Sequence, residues 1–447
     1  MTEIPVPVAS RLAEPEDPEG LSAAVGPSKP RVLGILGPGL ITGASDDDPS
    51  GIATYGQAGA QLGYALCWTL LYSLPLMAAV QMVAARIGRT TGHGIAGVLR
   101  QHYPNGLLQG VVLLLLVANT LNLGADLGAM ADALNLLLPG PRWLYVVLFS
   151  GACVFMQLVL QYTRYVAVLK WLTLSLFAYL GVVVFAHVSW LELGIAIALP
   201  RIDPSGAGLT TLVALFGTTI SPYLFFWQAA EEAEDLHAYP RRRDLLHAPG
   251  QGQRALHRIE ADTLVGMAFS NLVALAIMVT TAAVLHPHGI TDIQTSAQAA
   301  EALRPLAGPF SATVFALGII GTGLLAVPVL AGSAAYAVGE ARHWPVGFGR
   351  HLLEARAFYG TVALATLVGM IVSLGAVDPI RALYWSAVVN GVIAVPIMAV
   401  MMLAAARTDI MGVFAVRGPL RWLGWLATAC MLLAVAAMLF SAVHSLR

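Results

Sequence analysis

The sequence predicts an all-α polytopic membrane protein, and three observations support this. The chain has 447 residues, of which 57% are hydrophobic and only 11% are charged. Its apolar residues form long runs, each near or above the ~20 residues that a spanning helix needs. Lys and Arg are concentrated in alternate connections between these runs. A soluble domain does not need such a composition, so the lipid bilayer is the predicted surrounding. The net charge of −1 argues against nucleic acid as a partner.

Eleven apolar segments are predicted to span the bilayer. They cover residues 32–62, 64–86, 107–137, 142–163, 165–189, 208–231, 261–285, 310–339, 357–376, 380–405 and 420–443. With the N-terminus in the cytoplasm, nineteen Lys and Arg lie in cytoplasmic stretches and five in outer ones. This bias predicts a cytoplasmic N-terminus and an outer C-terminus, in a bacterial inner membrane. Residues 1–30, rich in Pro, Glu and Ser, are predicted to be a disordered cytoplasmic tail.

Three consecutive aspartates, Asp46, Asp47 and Asp48, lie inside the first apolar segment. A charge at mid-bilayer costs roughly 2.5–3.5 kcal/mol on insertion scales. The Pro-Ser-Gly sequence that follows disfavours a continuous helix, because proline lacks a donor, serine competes for backbone hydrogen bonds and glycine has low helix propensity. Carboxylates beside unwound backbone at membrane depth are typical of a cation site in a broken helix. An extracellular loop between two short spans is the alternative interpretation.

The sixth segment carries a second interruption, Gly217-Thr-Thr-Ile-Ser-Pro-Tyr, near its centre. It lies five spans after the first interruption, so the two halves of the chain are predicted to have inverted topology. Residues 31–189 form the first half, 208–405 the second, and 420–447 hold one additional helix and the C-terminus. A lone proline in a span is usually a tolerated kink. Interruptions at corresponding positions of two inverted halves instead indicate a midplane binding site in a secondary transporter.

Two stretches, GPGLITGASDDDPSGIATY and TTISPYLFFWQ, resemble the helix-break motifs of the Nramp family of divalent-metal transporters. Asp126 in the third segment, and Asp262 with Asn271 in the seventh, extend the resemblance. It implies the LeuT-type five-plus-five inverted repeat with broken helices 1 and 6, plus one extra helix, which fits the eleven segments. It also implies import of divalent metal cations by alternating access. The metal ion is then the substrate, and no cofactor is predicted.

The same resemblance implies a metal site at Asp48, Ser45, Gly51, Thr218 and Ser221. Asp48 matches the metal-binding aspartate of the family, and Ser45 and Thr218 stand where the family offers backbone carbonyls. Gly51 replaces the family's asparagine ligand, and Ser221 replaces its methionine ligand.

The softness of the ligands predicts which cations these replacements favour. Thioether sulfur favours softer metals, whereas carboxylate, carbonyl and water ligands suit Mg²⁺, Ca²⁺ and Mn²⁺. The site is therefore predicted to be harder and roomier than the family's, and suited to a partly hydrated ion. This resembles the Nramp-related magnesium-transporter branch. Mg²⁺ or Mn²⁺ is favoured, because Mn²⁺ also accepts all-oxygen coordination.

Further polar residues are predicted to lie around the site or along an ion path. Helical spacing puts Ser221, Gln228 and Glu232 on one face of the sixth segment, either as an exit path or as a helix face that ends in solvated acids, Glu234 and Asp235. The full set is Asp46, Asp47, Asp126, Tyr223, Gln228, Glu232 and Asn390. Asp46 and Asp47 either line a vestibule or accept hydrogen bonds from the broken helix.

Proton coupling is predicted to be weak or absent. The family's second acid in the third segment is Ala129 here, and its histidine after the sixth-segment proline is Tyr223. Asp126 therefore lacks the partners of a relay.

Several alternatives remain at this stage. One is a proton-coupled Mn²⁺/Fe²⁺ symporter of the standard Nramp type, and another is a sodium or amino-acid carrier on the same fold. An intramembrane aspartyl protease would use Asp48 and Asp126 as a dyad, but a transporter and not an enzyme is predicted. A receptor or channel is a further alternative, and the oligomeric state is open.

Overall fold

The computed structural model describes residues 42–43, 45–159, 176–238, 242–375 and 377–445. All regular secondary structure in these ranges is helical. The predicted tail 1–30, the start of the first segment and most of the first half of the fifth lie outside them.

The helices are numbered in chain order. They are α1 (Pro49–Leu62), α2 (Cys67–Thr91), α3 (Ile95–His102), α4 (Asn105–Leu137), α5 (Arg142–Val159), α6 (Phe177–Phe185), α7 (Trp190–Ala198), α8 (Gly206–Thr219), α9 (Pro222–Ala238), α10 (Gly252–Val284), α11 (Ser296–Glu301), α12 (Arg304–Ala307), α13 (Ser311–Ala341), α14 (Arg356–Ser373), α15 (Pro379–Ala406), α16 (Thr408–Met411) and α17 (Gly418–Ser445).

Within the described ranges, nine helices are long and apolar enough to cross a membrane, with α8 and α9 counted together. They correspond to every predicted segment except the first and the fifth. For the fifth segment, α6 and α7 form a pair bent by 119° that passes the same test when joined. Helix α7 lies in the stretch between the fifth and sixth predicted segments, so this connection is partly helical. The membrane-protein class is confirmed, whereas the count of eleven stays a prediction.

Large apolar side chains are exposed on the outer surface, and carboxylates are buried inside. The side chains of Leu364 and Leu433, on α14 and α17, are 62% and 69% exposed, whereas Asp48 is 1% exposed. This is the reverse of a water-soluble protein, in which charged residues are almost never fully buried. Lipid-facing leucines and an interior carboxylate are the arrangement that a bilayer selects.

Helix breaks occur at both predicted interruptions. Asp48 is the N-cap of α1 with extended backbone (φ −69°, ψ 170°), and Pro49 follows as the first helical residue, where its missing N–H is harmless. In the sixth segment α8 ends at Thr219, the C-cap residue Ile220 has a ψ of 57°, and α9 begins at Pro222. The third and eighth segments are longer than a simple span needs, yet helices α4 and α13, which form them, are continuous.

A close helix crossing fixes the second break against α15. A Cβ built on Gly217 would lie 2.0 Å from the carbonyl oxygen of Ala387 and 2.5 Å from the backbone nitrogen of Gly391. Only a glycine permits this approach of α8 to α15. Helix α1 packs against α8, α10 and α15, so the two breaks face each other inside the helix bundle.

Candidate metal-transport site

Asp48 lies at the centre of the two breaks, and both of its carboxylate oxygens are occupied. Oδ1 accepts hydrogen bonds from the backbone N–H of Gly51 (2.7 Å) and the hydroxyl of Ser50 (2.9 Å), which are donors of the helix start itself. Oδ2 accepts from the side-chain amide of Asn122 (3.0 Å) and the hydroxyl of Tyr223 (3.0 Å). The first oxygen is held by its own helix, and the second by side chains from two other helices.

Tyr223 joins the two breaks directly. Its hydroxyl lies 3.0 Å from Asp48 Oδ2 and 3.2 Å from the carbonyl oxygen of Ser45, so it is placed to donate to either. Both Asp48 and Tyr223 are 1% exposed, and Ser45 is 2% exposed. The predicted ligands Asp48 and Ser45 therefore lie together, in a site closed to solvent.

Ser221 and Thr218 lie at the open end of α8. The hydroxyl of Ser221 is 2.7 Å from the carbonyl oxygen of Gly217 and 2.8 Å from that of Thr218. It therefore caps carbonyls that the broken helix leaves without backbone partners. The Thr218 carbonyl predicted to face the ion accepts from this serine in the present conformation.

The space at Gly51 is smaller than the sequence suggested. A Cβ built there would lie 3.1 Å from the carbonyl oxygen of Asp46, and 3.3 Å from both Thr218 Oγ1 and the ring of Tyr55. The expectation of a roomier site is not met at this position, because side chains of α1 and α8 close over the glycine. The same contacts bring Gly51 and Thr218 together, as predicted for parts of one site.

Asp46 and Asp47 share one hydrogen-bond donor. The hydroxyl of Ser270, on α10, lies 2.7 Å from Asp46 Oδ2 and 3.2 Å from Asp47 Oδ1. One hydroxyl hydrogen serves one acceptor at a time. Among the described residues, no three Asp, Glu, His or Cys side chains converge to hold a metal ion. The consecutive aspartates thus do not form a single carboxylate cluster.

The acidic end of α9 is buried and paired rather than solvated. Glu232 is 0% exposed and accepts from the Arg258 guanidinium of α10 at 2.5 Å. Asp235 forms an ion pair with Arg242. Glu234 accepts from the backbone N–H groups of Phe348 (3.2 Å) and Gly349 (2.6 Å). The interpretation as a solvated helix end was wrong for Asp235, which is 5% exposed and paired with Arg242, whereas Glu234 is half-buried and held by loop backbone.

The predicted stripe on α9 begins nearer the site. Gln228, 0% exposed, accepts a hydrogen bond from the hydroxyl of Thr42, which ties the first segment to α9. Beyond the stripe, at the far end of α9, lies a cavity of about 820 Å³. Its lining includes Ala233, Glu234, Tyr336 and Arg350.

Asp126 and Asn390 stand apart from the hydrogen-bonded site. Asp126 is 0% exposed, and neither of its carboxylate oxygens has a hydrogen-bond partner among the described residues. The same holds for both side-chain polar atoms of Asn390 (1% exposed). Asn390 precedes Gly391 at the close crossing with Gly217, which puts it beside the second break.

Several partners of the site were not predicted from the sequence. Asn122 lies about one turn before Asp126 on α4 and contacts Asp48 directly. Ser386 of α15 in turn lies 2.8 Å from the side-chain oxygen of Asn122. Ser270 and Arg258 were not singled out at all. Serines are common in spanning helices, and no local sequence pattern marks Ser270 or Arg258 as a partner of the site.

The fold and the site together define a class. Two broken helices meet at a buried carboxylate surrounded by oxygen and amide groups, inside a bundle of spanning helices, which is the architecture of a secondary transporter with a midplane ion site. The profile of the family described as "Natural resistance-associated macrophage protein-like", Nramp, matches residues 39–441. The chain belongs to the Nramp family, whose members are transporters and not enzymes, and the protease alternative is thereby rejected.

Individual relatives agree with this membership. The chain is 27% identical over 404 residues to the divalent metal cation transporter MntH of Klebsiella pneumoniae. The alignment covers 89% of this chain and 91% of that protein. A crystal structure of the Eremococcus coleocola manganese transporter matches with a TM-score of 0.73 at 16% identity, covering 94% of this chain and 90% of the other. MhsT in complex with L-phenylalanine matches with a TM-score of 0.59 at 11% identity, covering 91% and 97%. These structural matches confirm the LeuT-type fold.

Proposed function

We propose that this protein is a secondary transporter that imports divalent cations, Mg²⁺ or Mn²⁺, across a bacterial inner membrane by alternating access. One observation carries the proposal: Asp48, at the first helix break, is bonded at 3.0 Å to Tyr223, at the second. An ion that takes the place of this hydrogen bond contacts both broken helices at once. Its binding is thereby coupled to the relative position of the two halves, which alternating access requires.

The ligands around Asp48 favour a hard cation. The predicted set consists of Asp48, the carbonyls of Ser45 and Thr218, and the Ser221 hydroxyl, with Gly51 contributing no side chain. All of its donor atoms are oxygens, which suit Mg²⁺ and Mn²⁺. Asp46, Asp47 and Asn390 are proposed to line the approach, and Gln228 and Glu232 the exit.

The second candidate function is proton-coupled symport of Mn²⁺. The Klebsiella relative is named a divalent metal cation transporter and the Eremococcus structure a manganese transporter, which supports Mn²⁺. The replacement of a thioether by Ser221 supports Mg²⁺. The more remote structural match to MhsT with L-phenylalanine is the weaker basis for an amino-acid carrier.

We expect uptake to be uncoupled, or only weakly coupled, to protons. A relay needs titratable groups in sequence, and tyrosine, with an unperturbed pKa of about 10, is a poor relay at neutral pH. The membrane potential instead supplies about 2.3 kcal/mol per charge per 100 mV. The test is influx of Mg²⁺, Mn²⁺ and Ca²⁺ into proteoliposomes that contain a pH reporter. Metal-dependent acidification that disappears in Asp126→Asn would refute this expectation and identify Asp126 as a sufficient proton carrier.

We expect Ser221→Met to favour soft cations. The change introduces a thioether and releases the Thr218 carbonyl from its serine donor, so the Cd²⁺-to-Mg²⁺ affinity ratio should rise about tenfold, or 1.4 kcal/mol. Isothermal titration measures the ratio, and Ser221→Leu is the control of similar size without sulfur. Adding Gly51→Asn should increase the ratio further only if Thr218 yields, since its Oγ1 would lie 3.3 Å from the new Cβ. An equal ratio in the Leu and Met variants would contradict the softness argument.

A further inference from the structure

Asn122 occupies the position from which a side chain of α4 reaches the ion-binding oxygen. Its amide nitrogen is 3.0 Å from Asp48 Oδ2, and the residue is 0% exposed. Oδ1 of Asp48 is held by the N–H of Gly51 and the hydroxyl of Ser50, both fixed by the start of α1. An incoming cation therefore takes Oδ2, where the two donors are side chains that can turn.

A cation on Oδ2 is incompatible with the present orientation of Asn122. The amide group would direct its N–H hydrogens, which carry partial positive charge, at the ion. Rotation of the terminal amide by half a turn exchanges the nitrogen for the side-chain oxygen at nearly the same place. Asparagine carries both a donor and an acceptor on one planar group, so this exchange needs no backbone movement.

The spacing fits a small octahedral ion. Mg²⁺ binds oxygens at 2.0–2.1 Å in near-octahedral geometry, so adjacent ligands lie about 2.8–3.0 Å apart. The Asn122 amide nitrogen, whose place the oxygen would take, lies 3.0 Å from Asp48 Oδ2.

Ser386 satisfies Asn122 in both orientations. Its hydroxyl lies 2.8 Å from Asn122 Oδ1 and 2.7 Å from the carbonyl oxygen of Leu383, yet it has one hydrogen to donate. In the ion-free state this hydrogen can go to Asn122. After the amide turns, it goes to Leu383, and the serine oxygen accepts from the Asn122 amide. Neither orientation leaves a buried polar group without a partner.

We propose that Asn122 is a ligand of the transported ion, contributing its side-chain oxygen from α4. This rests on the proposed function at Asp48. Asn122 supplies from α4 the side-chain oxygen ligand that Gly51 cannot provide. It also links ion binding to α15 through Ser386.

The test is titration of Mn²⁺ and Mg²⁺ into purified protein carrying Asn122→Ala or Asn122→Asp. We expect Asn122→Ala to weaken binding at least about tenfold. Asn122→Asp keeps an oxygen and loses the donor, so binding should be retained or tightened, and the ion should raise its melting temperature at least as much as in wild type. Asn119→Ala is the matched control. Asn119 is a buried amide on the same helix that donates to Leu330 and Ser333 instead, and its removal should leave affinity unchanged.

The alternative is that Asn122 only restrains Asp48 in the ion-free protein. Removing it would then relieve competition for Oδ2, so tighter or unchanged binding in Asn122→Ala overturns the proposal. Weak binding in Asn122→Asp overturns it as well, and decides the matter if the alanine variant does not fold. Asp48→Asn distinguishes a failure of the ligand role from a failure of the proposed site. If Asp48→Asn loses ion binding and the Asn122 variants bind with unchanged affinity, only the ligand role of Asn122 is refuted. If Asp48→Asn still binds the ion, the site at Asp48 is refuted.

Discussion

Asp48→Asn is expected to abolish divalent-cation uptake while the protein still folds. Asparagine is as good an N-cap as aspartate, so the start of α1 is preserved. The negative charge that attracts the ion is lost, and uptake into proteoliposomes should fall to that of vesicles without protein. Asp48→Ala should be equally inactive and should also lose about 0.5–2 kcal/mol of stability with the cap.

A second aspartate provides the control for this experiment. Asp378 caps α15 by accepting from the backbone N–H of Ile380 (3.0 Å) and precedes Pro379, which repeats the local arrangement of Asp48 and Pro49. Asp378→Asn keeps the cap and should transport normally. Wild-type uptake in Asp48→Asn would show that Asp48 is only a cap and that the ion binds elsewhere.

This comparison also shows why the aspartate-proline pair alone does not predict a site. The same two residues begin α1 and α15, and only the first pair lies between apolar stretches that together approach the length of a span. The break of the sixth segment was predictable for a similar reason, since Ser221 and Pro222 interrupt an apolar run. Local sequence therefore located both breaks.

The partners of the site were beyond such reasoning. Asn122 lies 74 positions from Asp48 in the chain, and Ser386 lies 264 positions from Asn122. Their contacts follow from the packing of α4 and α15 around α1. Periodicity places a residue on a helix face, but it does not give the rotation of one helix against another. The crowding at Gly51 was missed for the same reason, because it depends on where Thr218 comes to lie.

The prediction of a solvated helix end at Asp235 was wrong for a different reason. Glu232 and Asp235 have the spacing and composition of a solvated helix end, and only tertiary structure reveals that Arg258 and Arg242 meet them. A carboxylate that faces an ion path and one that ties two helices together look alike in sequence. Which of these describes Glu232 is a question for mutation.

Arg258→Ala is expected to destabilise the protein strongly. Its guanidinium lies 2.5 Å from Glu232, whose side chain is fully buried. Removing one partner of a buried ion pair costs about 3–5 kcal/mol, because the remaining charge is left uncompensated. The melting temperature of detergent-purified protein should fall markedly in this variant. In the double variant Glu232→Met with Arg258→Met it should recover, since replacing both charges by apolar groups of similar size is often neutral.

Transport by the same variants distinguishes a tether between α9 and α10 from an exit path. If Glu232 guides the ion, Glu232→Gln slows uptake at unchanged ion affinity, and the double variant stays slow although it is stable. If the pair only joins the helices, the double variant regains uptake together with its melting temperature.

Helix α9 begins at the second break, so loosening its tether to α10 should also speed the movement of α9. If the pair only joins the helices, Arg258→Ala should then raise the rate of cation exchange at temperatures where the variant is folded. A wild-type melting temperature in Arg258→Ala would contradict both roles, since neither allows a buried carboxylate to lose its partner without consequence.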